Sequence, residues 1–342
     1  MSLDFMKKLL KFLKTAAINV FCLLGGSTIL HAINRTPRVI YWHGVTHIIN
    51  ASIETESIDV SVFEQEIKYL ANKFDVISMD EFYVRYQNKK FNGCEAVLTF
   101  DDGYFSNLQH AAPVMKKYGL PFTVFISTGN ISSQEYFPTS IVRLICIGAV
   151  ELSEIKLNSI SFYHKLGSHA ERCLIAKKIN SIIKKMPHQR VIETINELES
   201  HISPQEYALL KQRYRSLTPM NWLDVKQLSQ ISGCTIGSHC IDHFCCHEQQ
   251  SYHELQKQLF NSKDIIQREL NVECYYFAYP NGDYTAISNQ LLEAAGYRLG
   301  FTTTPNRLFA KDESPFALPR YSALPRYNSF KIYINTLPQA FS

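Results

Sequence analysis

The segment AVLTF (96–100), DDGYFSNLQHAAPVMKKYG (101–119) and PFTVFIST (121–128) decides the fold class. An apolar, β-branched run gives way to two aspartates and a glycine. Apolar residues at helical spacing follow, and then a second apolar run. Short runs that stay apolar without alternation suit strands buried on both faces. Gly119 offers the left-handed residue that commonly closes a helix. A strand, a crossover helix and a second strand form one unit of a parallel sheet.

The same alternation extends in both directions. Upstream lie the strand-like RVIYWHGV (38–45), the helical VFEQEIKYLANK (62–73), the strand-like DVISM (75–79), and DEFYVRYQNK (80–89), a helix for which Asp80 is the predicted cap. Downstream come helical WLDVKQLSQIS (222–232), strand CTIGSH (234–239) and a long helix ending in IIQREL (265–270). Strand CYYFAYP (274–280), helix YTAISNQLLEAAG (284–296) and strand YRLGFTTT (297–304) complete the series. Between about 130 and 217 the pattern pauses, and two amphipathic helices, 168–186 and 191–202, occupy much of the gap. The prediction is an α/β fold of six or seven strand–helix units. No GxGxxG or P-loop follows any strand, which favours closure into a TIM-like barrel over an open sheet. The barrel is assigned to residues 36–325, with a helical insertion at about 130–217, an amino-terminal segment 1–35 and a tail 326–342.

The chain has 342 residues, 46% apolar and 19% charged, enough to bury a sizeable core. Its net charge is 35 − 31 = +4. Lys7, Lys8, Lys11 and Lys14 against Asp4 supply +3 of this, leaving +1 for the other 328 residues. A basic stripe through the body, as nucleic-acid binding requires, is absent. None of the nine cysteines forms a CxxC pair, which argues against a four-thiolate zinc site and suits scattered thiols in a reducing compartment. In LDFMKKLLKFLK (3–14), Phe5, Leu9, Phe12 and Leu13 share one helical face, and Lys7, Lys11 and Lys14 another. This pattern fits a helix lying on an anionic membrane surface. The apolar run at 16–30 is short and broken by Asn19, Gly25 and Gly26, so it spans a bilayer poorly. A surface helix or weak anchor, a docked helix and a cleaved signal all stay open. The expected location is the cytoplasm, at or near a membrane, ahead of secretion or the periplasm.

Two short segments carry chemistry. In LTFDDGY (98–104), Asp101 and Asp102 follow a buried strand directly, at the carboxyl end of the sheet where active sites collect. One carboxylate can hold a metal while its neighbour stays free as a base; the alternative is a plain helix cap. In IGSHCIDHF (236–244), His239 and His243 are four residues apart and also follow a strand. The pairs His43/His47 and His243/His247 share that spacing, so position after a strand is what singles out 239/243. Two imidazoles and a carboxylate make a three-ligand site with open positions, suited to Zn²⁺ or another divalent metal. Such an ion would lower the pKa of a bound water and polarise a substrate carbonyl, and the second aspartate could take the water's proton. The same ligand set describes non-haem iron oxygenases, against which the strand–helix alternation argues.

At these motifs the chain resembles the NodB-type polysaccharide deacetylases, carbohydrate esterase family 4, over roughly residues 38–322 apart from the insertion. The resemblance implies a distorted (β/α)7 barrel that hydrolyses N-acetyl or O-acetyl groups of glycans. It implies Asp101 as base, and Asp102, His239 and His243 as metal ligands. Cys240 stands where the family usually has Ser or Thr. FAYPNGDY (277–284) replaces an Arg-containing motif, as in the branch with the poly-N-acetylglucosamine deacetylases. The histidine that commonly serves as general acid near the carboxyl end is missing, since no histidine follows His253. VIYWHGV (39–45) resembles a Tyr-His-x-Val segment of the same branch, and His43 is assigned as general acid. Arg320 in ALPRYS (317–322) resembles a Leu-Pro-Arg segment and is expected to pair with Asp101. Tyr104, Tyr279, Asn281 and Asp283 are candidate pocket residues. The function expected is metal-dependent deacetylation of an N-acetylated glycan or amino sugar. A glycan-binding relative without turnover and a hydrolase of a non-glycan amide are the alternatives. The basic amino-terminal helix favours a lipid-linked glycan and membrane-surface contact through residues 3–30. The insertion is expected to shape the substrate groove or to dock a partner.

Overall fold

Seven parallel strands follow one another around a ring in chain order. They are β1 (Arg38–Trp42), β2 (Glu95–Phe100), β3 (Phe122–Ile126), β4 (Cys234–Ser238), β5 (Tyr276–Ala278), β6 (Leu299–Phe301) and β7 (Tyr321–Ser322). This is a computed structural model; it describes residues 3–305 and 314–336, without the side chains of residues 3–5, 7–9 and 11. From β1 to β6 each strand pairs with the next, and β7 pairs with β1 through Ile40↔Tyr321. A parallel bridge between Phe301 and Leu318 joins β6 to the segment entering β7 and completes the circuit. The stretch expected as strand 75–79 is reduced to Asp75–Val76, which pairs with Glu95 and Ala96 at the start of β2.

Alternation along the strands sorts side chains into two cores. Val39, Val97, Phe125, Tyr276, Leu299, Phe301 and Leu318 cluster inside the ring, where Met79 and Phe82 of helix Met79–Asn88 join them. Ile40, Leu98, Phe100, Val124, Ile236 and Phe277 belong to the outer core with helix residues such as Ile67, Leu70, Leu259 and Leu292. Each of these fully buried aliphatic or aromatic side chains contributes about 1.5–3 kcal/mol. Inside-facing positions continue past the strand ends: Val39–Tyr41–His43, Val97–Thr99–Asp101, Gly237–His239 and Leu318–Arg320 step by two. The barrel therefore collects Tyr41, His43, Asp101, His239 and Arg320 at one mouth.

Helix starts follow local chemistry. Ser78, not Asp80, caps Met79–Asn88, accepting a hydrogen bond from Glu81 N, while Asp80 falls in the first turn. Ser251 caps the long helix Tyr252–Leu270 through Glu254 N. The insertion is not wholly helical. Its helices His169–Ile183, His188–Glu199 and Pro204–Arg213 accompany an antiparallel hairpin, Glu154–Leu157 with Phe162–Lys165. Ile155 and Leu157 face its separate core, beside Ile145, Ile179 and Leu198.

The amino terminus forms helix Leu3–Leu23, then a 74° bend and helix Gly26–Ile33. The predicted faces of Phe5, Leu9, Lys7 and Lys11 lie outside the described side chains. Beyond them the first helix docks on helix Tyr327–Asn335, which occupies much of the expected tail; residues 337–342 lie outside the description. Asn328 donates to Asn19 at 2.9 Å, and His31 lies 3.1 Å from the Asn335 side-chain oxygen. No single helix among the described residues is long and apolar enough to cross a membrane.

Candidate active site

Asp101 and Asp102 diverge because the chain changes hand between them. Asp101 keeps the β2 ladder, its N–H donating to Trp42 O at 2.9 Å. Asp102 then adopts φ 74° and Gly103 φ 81°. A Cβ at residue 103 would lie 2.8 Å from Ile126 Cγ2, so only glycine fits this turn. Cys240 (φ 64°) and His243 (φ 50°) are likewise left-handed. Each such non-glycine residue costs on the order of 1 kcal/mol or more, and strain of this kind concentrates at functional sites. Buried Gln258 holds the loop: its Oε1 accepts from Ile241 N and Asp242 N at 2.9 and 3.2 Å, and its Nε2 donates to Asp242.

These turns bring three predicted ligands together. His239 Nε2 and His243 Nε2 lie 3.4 and 3.3 Å from Asp102 Oδ1, and the three ligand atoms sit within 4.8 Å of one another. His239 Nδ1 donates to Ala278 O at 2.7 Å, which leaves a bare lone pair on Nε2. Asp102 Oδ1 is buried and accepts no hydrogen bond. A carboxylate oxygen facing an imidazole lone pair is unfavourable unless a cation or proton lies between them, so the donor set fits a divalent metal. Burial pushes the Asp102 carboxyl up, but the facing His243 and His239 outweigh it and hold it well below the usual range. Burial pushes His243 down, and Asp102 more than reverses this, so its pKa is raised.

Asp101 stands beside this cluster in a different environment. Arg320 holds it bidentately, with Nη1–Oδ1 at 2.7 Å and Nη2–Oδ2 at 2.6 Å. The guanidinium is itself fully buried. It donates to Thr302 O and Thr99 Oγ1 and stacks 4.5 Å from the Tyr41 ring centre. Burial raises the Asp101 pKa, and the charge and hydrogen bonds of Arg320 more than offset it, so the carboxylate is favoured. Two of its four lone-pair sites remain for a proton or a water.

A cavity of about 180 Å³ opens over these groups. His43 and Asn281 line it, and Thr303 lies on its wall. Tyr104, Tyr279 and Asp283 correct the expectation, since none lines the cavity. Tyr104 is buried behind it with its ring against Phe137. Tyr279 lies in the outer core, its hydroxyl donating to Asn289 at 2.8 Å, and Asp283 accepts from Asn281. Cys240 turns its thiol toward Phe244 O, 3.6 Å away. Six wall residues escaped the sequence reading: Tyr41, Glu56, Thr303, Phe137, Thr139 and Lys184. The last three belong to the insertion, and Lys184 donates to Asn281 Oδ1 at 2.7 Å. Arg143, also of the insertion, grips Glu56 at 3.2 and 3.1 Å. No local signal marks these residues; only the amphipathic phase of helix 169–183 hints that Lys184 ends beside the barrel.

The sequence model of the polysaccharide deacetylase family matches residues 88–300. A Bacillus subtilis (strain 168) protein, YxkH, provisionally named as a polysaccharide deacetylase, is 22% identical over 279 residues, covering 80% of this chain and 69% of that protein. The poly-β-1,6-N-acetyl-D-glucosamine N-deacetylase of Staphylococcus aureus (strain MRSA252) is 25% identical over 154 residues, 44% of this chain and 50% of that enzyme. Among solved structures, IcaB from Ammonifex degensii superposes with TM-score 0.56 at 16% identity, covering 89% of this chain and 97% of that one. The Streptococcus pyogenes deacetylase PplD, in complex with acetate, gives TM-score 0.55 at 17% identity, with 85% and 93% covered. At these identities the structural likeness concerns the fold.

Proposed function

Because the chain belongs to the polysaccharide deacetylase family, hydrolases of the N-acetyl amide bonds of glycans, we propose that it removes acetyl groups from an N-acetylated glycan or amino sugar with a divalent metal, zinc first among the candidates, held by Asp102, His239 and His243. The observation that carries this is the convergence of the two imidazole nitrogens on the orphaned Asp102 oxygen, with the Asp101–Arg320 pair beside them. When bound, the cation supplies Lewis acidity, making water acidic and the acetyl carbonyl electrophilic. Asp101 accepts the proton of the attacking water. Arg320 is a positioning residue that keeps Asp101 ionised and fixes its plane. His43, at the same mouth, protonates the departing amine. Acetate and a free amino sugar result. The glycan is taken to be presented at a membrane surface by way of the amino-terminal helices.

The test is mass spectrometry of N-acetylglucosamine oligomers after incubation with zinc-loaded protein. Loss of acetyl units together with stoichiometric acetate is expected. Binding of the oligomers without acetate release would favour a glycan-binding protein without turnover.

A further inference from the structure

Three cavities lie in series from the active site to the amino-terminal helices. The active-site pocket shares Tyr41, His43 and Glu56 with a second cavity of about 240 Å³. That cavity reaches Leu324 and Pro325, which also line a third, of about 690 Å³. The third runs between helices Leu3–Leu23 and Tyr327–Asn335. Ile18, Ile332 and Tyr333 form its apolar wall, and Lys14 and Arg326 stand on it as cations. Among the described residues neither cation is paired with a carboxylate. Arg326 reaches only the Thr15 hydroxyl, at 3.4 Å.

The helix that walls this groove turns a second apolar face outward. Met6, Leu13 and Val20, seven residues apart, are exposed on the side opposite Thr15 and Cys22, which meet the body. The most exposed large apolar side chains among the described residues are Leu23 (85%) and Leu24 (78%), at the 74° bend. An apolar face and apex with lysines in the same helix suit an in-plane contact with a bilayer. The series of cavities thus has one end at the metal ligands and the other where lipid would be.

We propose that the groove takes the hydrocarbon chain of a lipid-phosphate-linked N-acetylated saccharide. The acetylated sugar occupies the active-site pocket, a further sugar unit fills the second cavity, the phosphate lies between Lys14 and Arg326, and the chain lies along Ile18, Ile332 and Tyr333. This rests on the deacetylase reading and names its substrate class. Charge complementarity selects a phosphate at that point of the groove. Each methylene buried beyond it raises affinity about fourfold.

The experiment uses the full chain loaded with zinc, in one detergent. It compares N,N′-diacetylchitobiose linked through phosphate to geranylgeraniol with the same disaccharide phosphate linked to methanol. A kcat/KM advantage of about a hundredfold is expected for the prenyl substrate, falling to near one in the Lys14→Glu, Arg326→Glu double variant. A photoreactive geranylgeranyl phosphate gives a readout free of catalysis. It should label peptides within 12–24 and 324–335, competed by geranylgeranyl phosphate but not by geranylgeraniol, inorganic phosphate or phosphatidylglycerol vesicles. Equal kcat/KM for the two substrates, or labelling elsewhere, overturns the groove and leaves the deacetylase reading standing. Labelling at the groove without acetate release from either substrate overturns the deacetylase reading instead.

Discussion

Two adjacent aspartates end in opposite electrostatic situations, and that difference assigns their roles. Asp101 has both oxygens on a buried guanidinium, whereas Asp102 has an oxygen with no donor, aimed at two imidazoles. The Asp101→Asn variant keeps the three ligand atoms and loses the proton acceptor. Its kcat should fall about a thousandfold, within the usual reach of acid–base catalysis, while bound zinc measured by elemental analysis stays at the wild-type level. A normal rate would remove Asp101 as the base. His43→Ala should show a different signature. Amide hydrolysis needs a protonated leaving group, and an aryl acetate does not. The variant should lose about a hundredfold on an N-acetyl substrate and less than tenfold on p-nitrophenyl acetate, read as initial rates. Equal losses on both substrates would move the acid elsewhere.

At the scale of elements, the ligand set depends on a loop and a helix as well as on strand ends. The loop carrying His243 has left-handed residues at 240 and 243, and Gln258 on helix Tyr252–Leu270 ties it down with three hydrogen bonds. Residues supporting a ligand from behind typically matter by ten- to a hundredfold in metal affinity. Gln258→Ala should therefore need about tenfold more free zinc than wild type for the same rise in melting temperature. At a hundred times the dissociation constant, zinc should add about 2.7 kcal/mol to wild-type stability. A variant that follows the wild-type zinc titration would show that the loop holds its shape unaided. The insertion acts at the same scale. Residues at the ends of its helices, Phe137, Thr139 and Lys184, line the pocket wall, and its Arg143 grips Glu56 of the barrel.

For the whole molecule, buried ion pairs tie stability to pH. Arg320–Asp101 joins β7 to β2 across the mouth, and Arg143–Glu56 joins the insertion to the barrel. Burial raises each carboxyl, but its arginine outweighs this, so both folded-state pKa values lie below the unfolded ones. The unfolded chain then binds more protons as pH falls through the carboxylate range. The stability these pairs contribute is full above about pH 5 and is lost as pH drops through the depressed values. Urea midpoints should be level from pH 7 to 5 and decline below about pH 4. Asp101→Asn should show a shallower decline. A wild-type midpoint that does not fall in acid would mean the pairs are not what couples these parts.

The sequence by itself determined the strand–helix alternation, the closure at the level of fold class, and the aspartate and histidine motifs at strand ends. Those features are local: side-chain periodicity and a residue's place at the end of an apolar run depend on near neighbours alone. It placed Asp80 as a cap where Ser78 takes that role, because both residues suit the position and only the backbone path separates them. It read the insertion as helical, because strands of four residues carry too short a pattern to stand out. Tertiary structure decided the rest. Ring closure through Leu318 brings Arg320 to Asp101, 219 residues away in the chain. The inward phase of each strand sends Tyr41 and His43 into the mouth and Trp42 into the outer core. The insertion's fold carries Lys184 to Asn281, and the terminal helices form a groove only by packing on each other. Contacts between distant segments depend on how the whole chain closes, and no short window of residues encodes that.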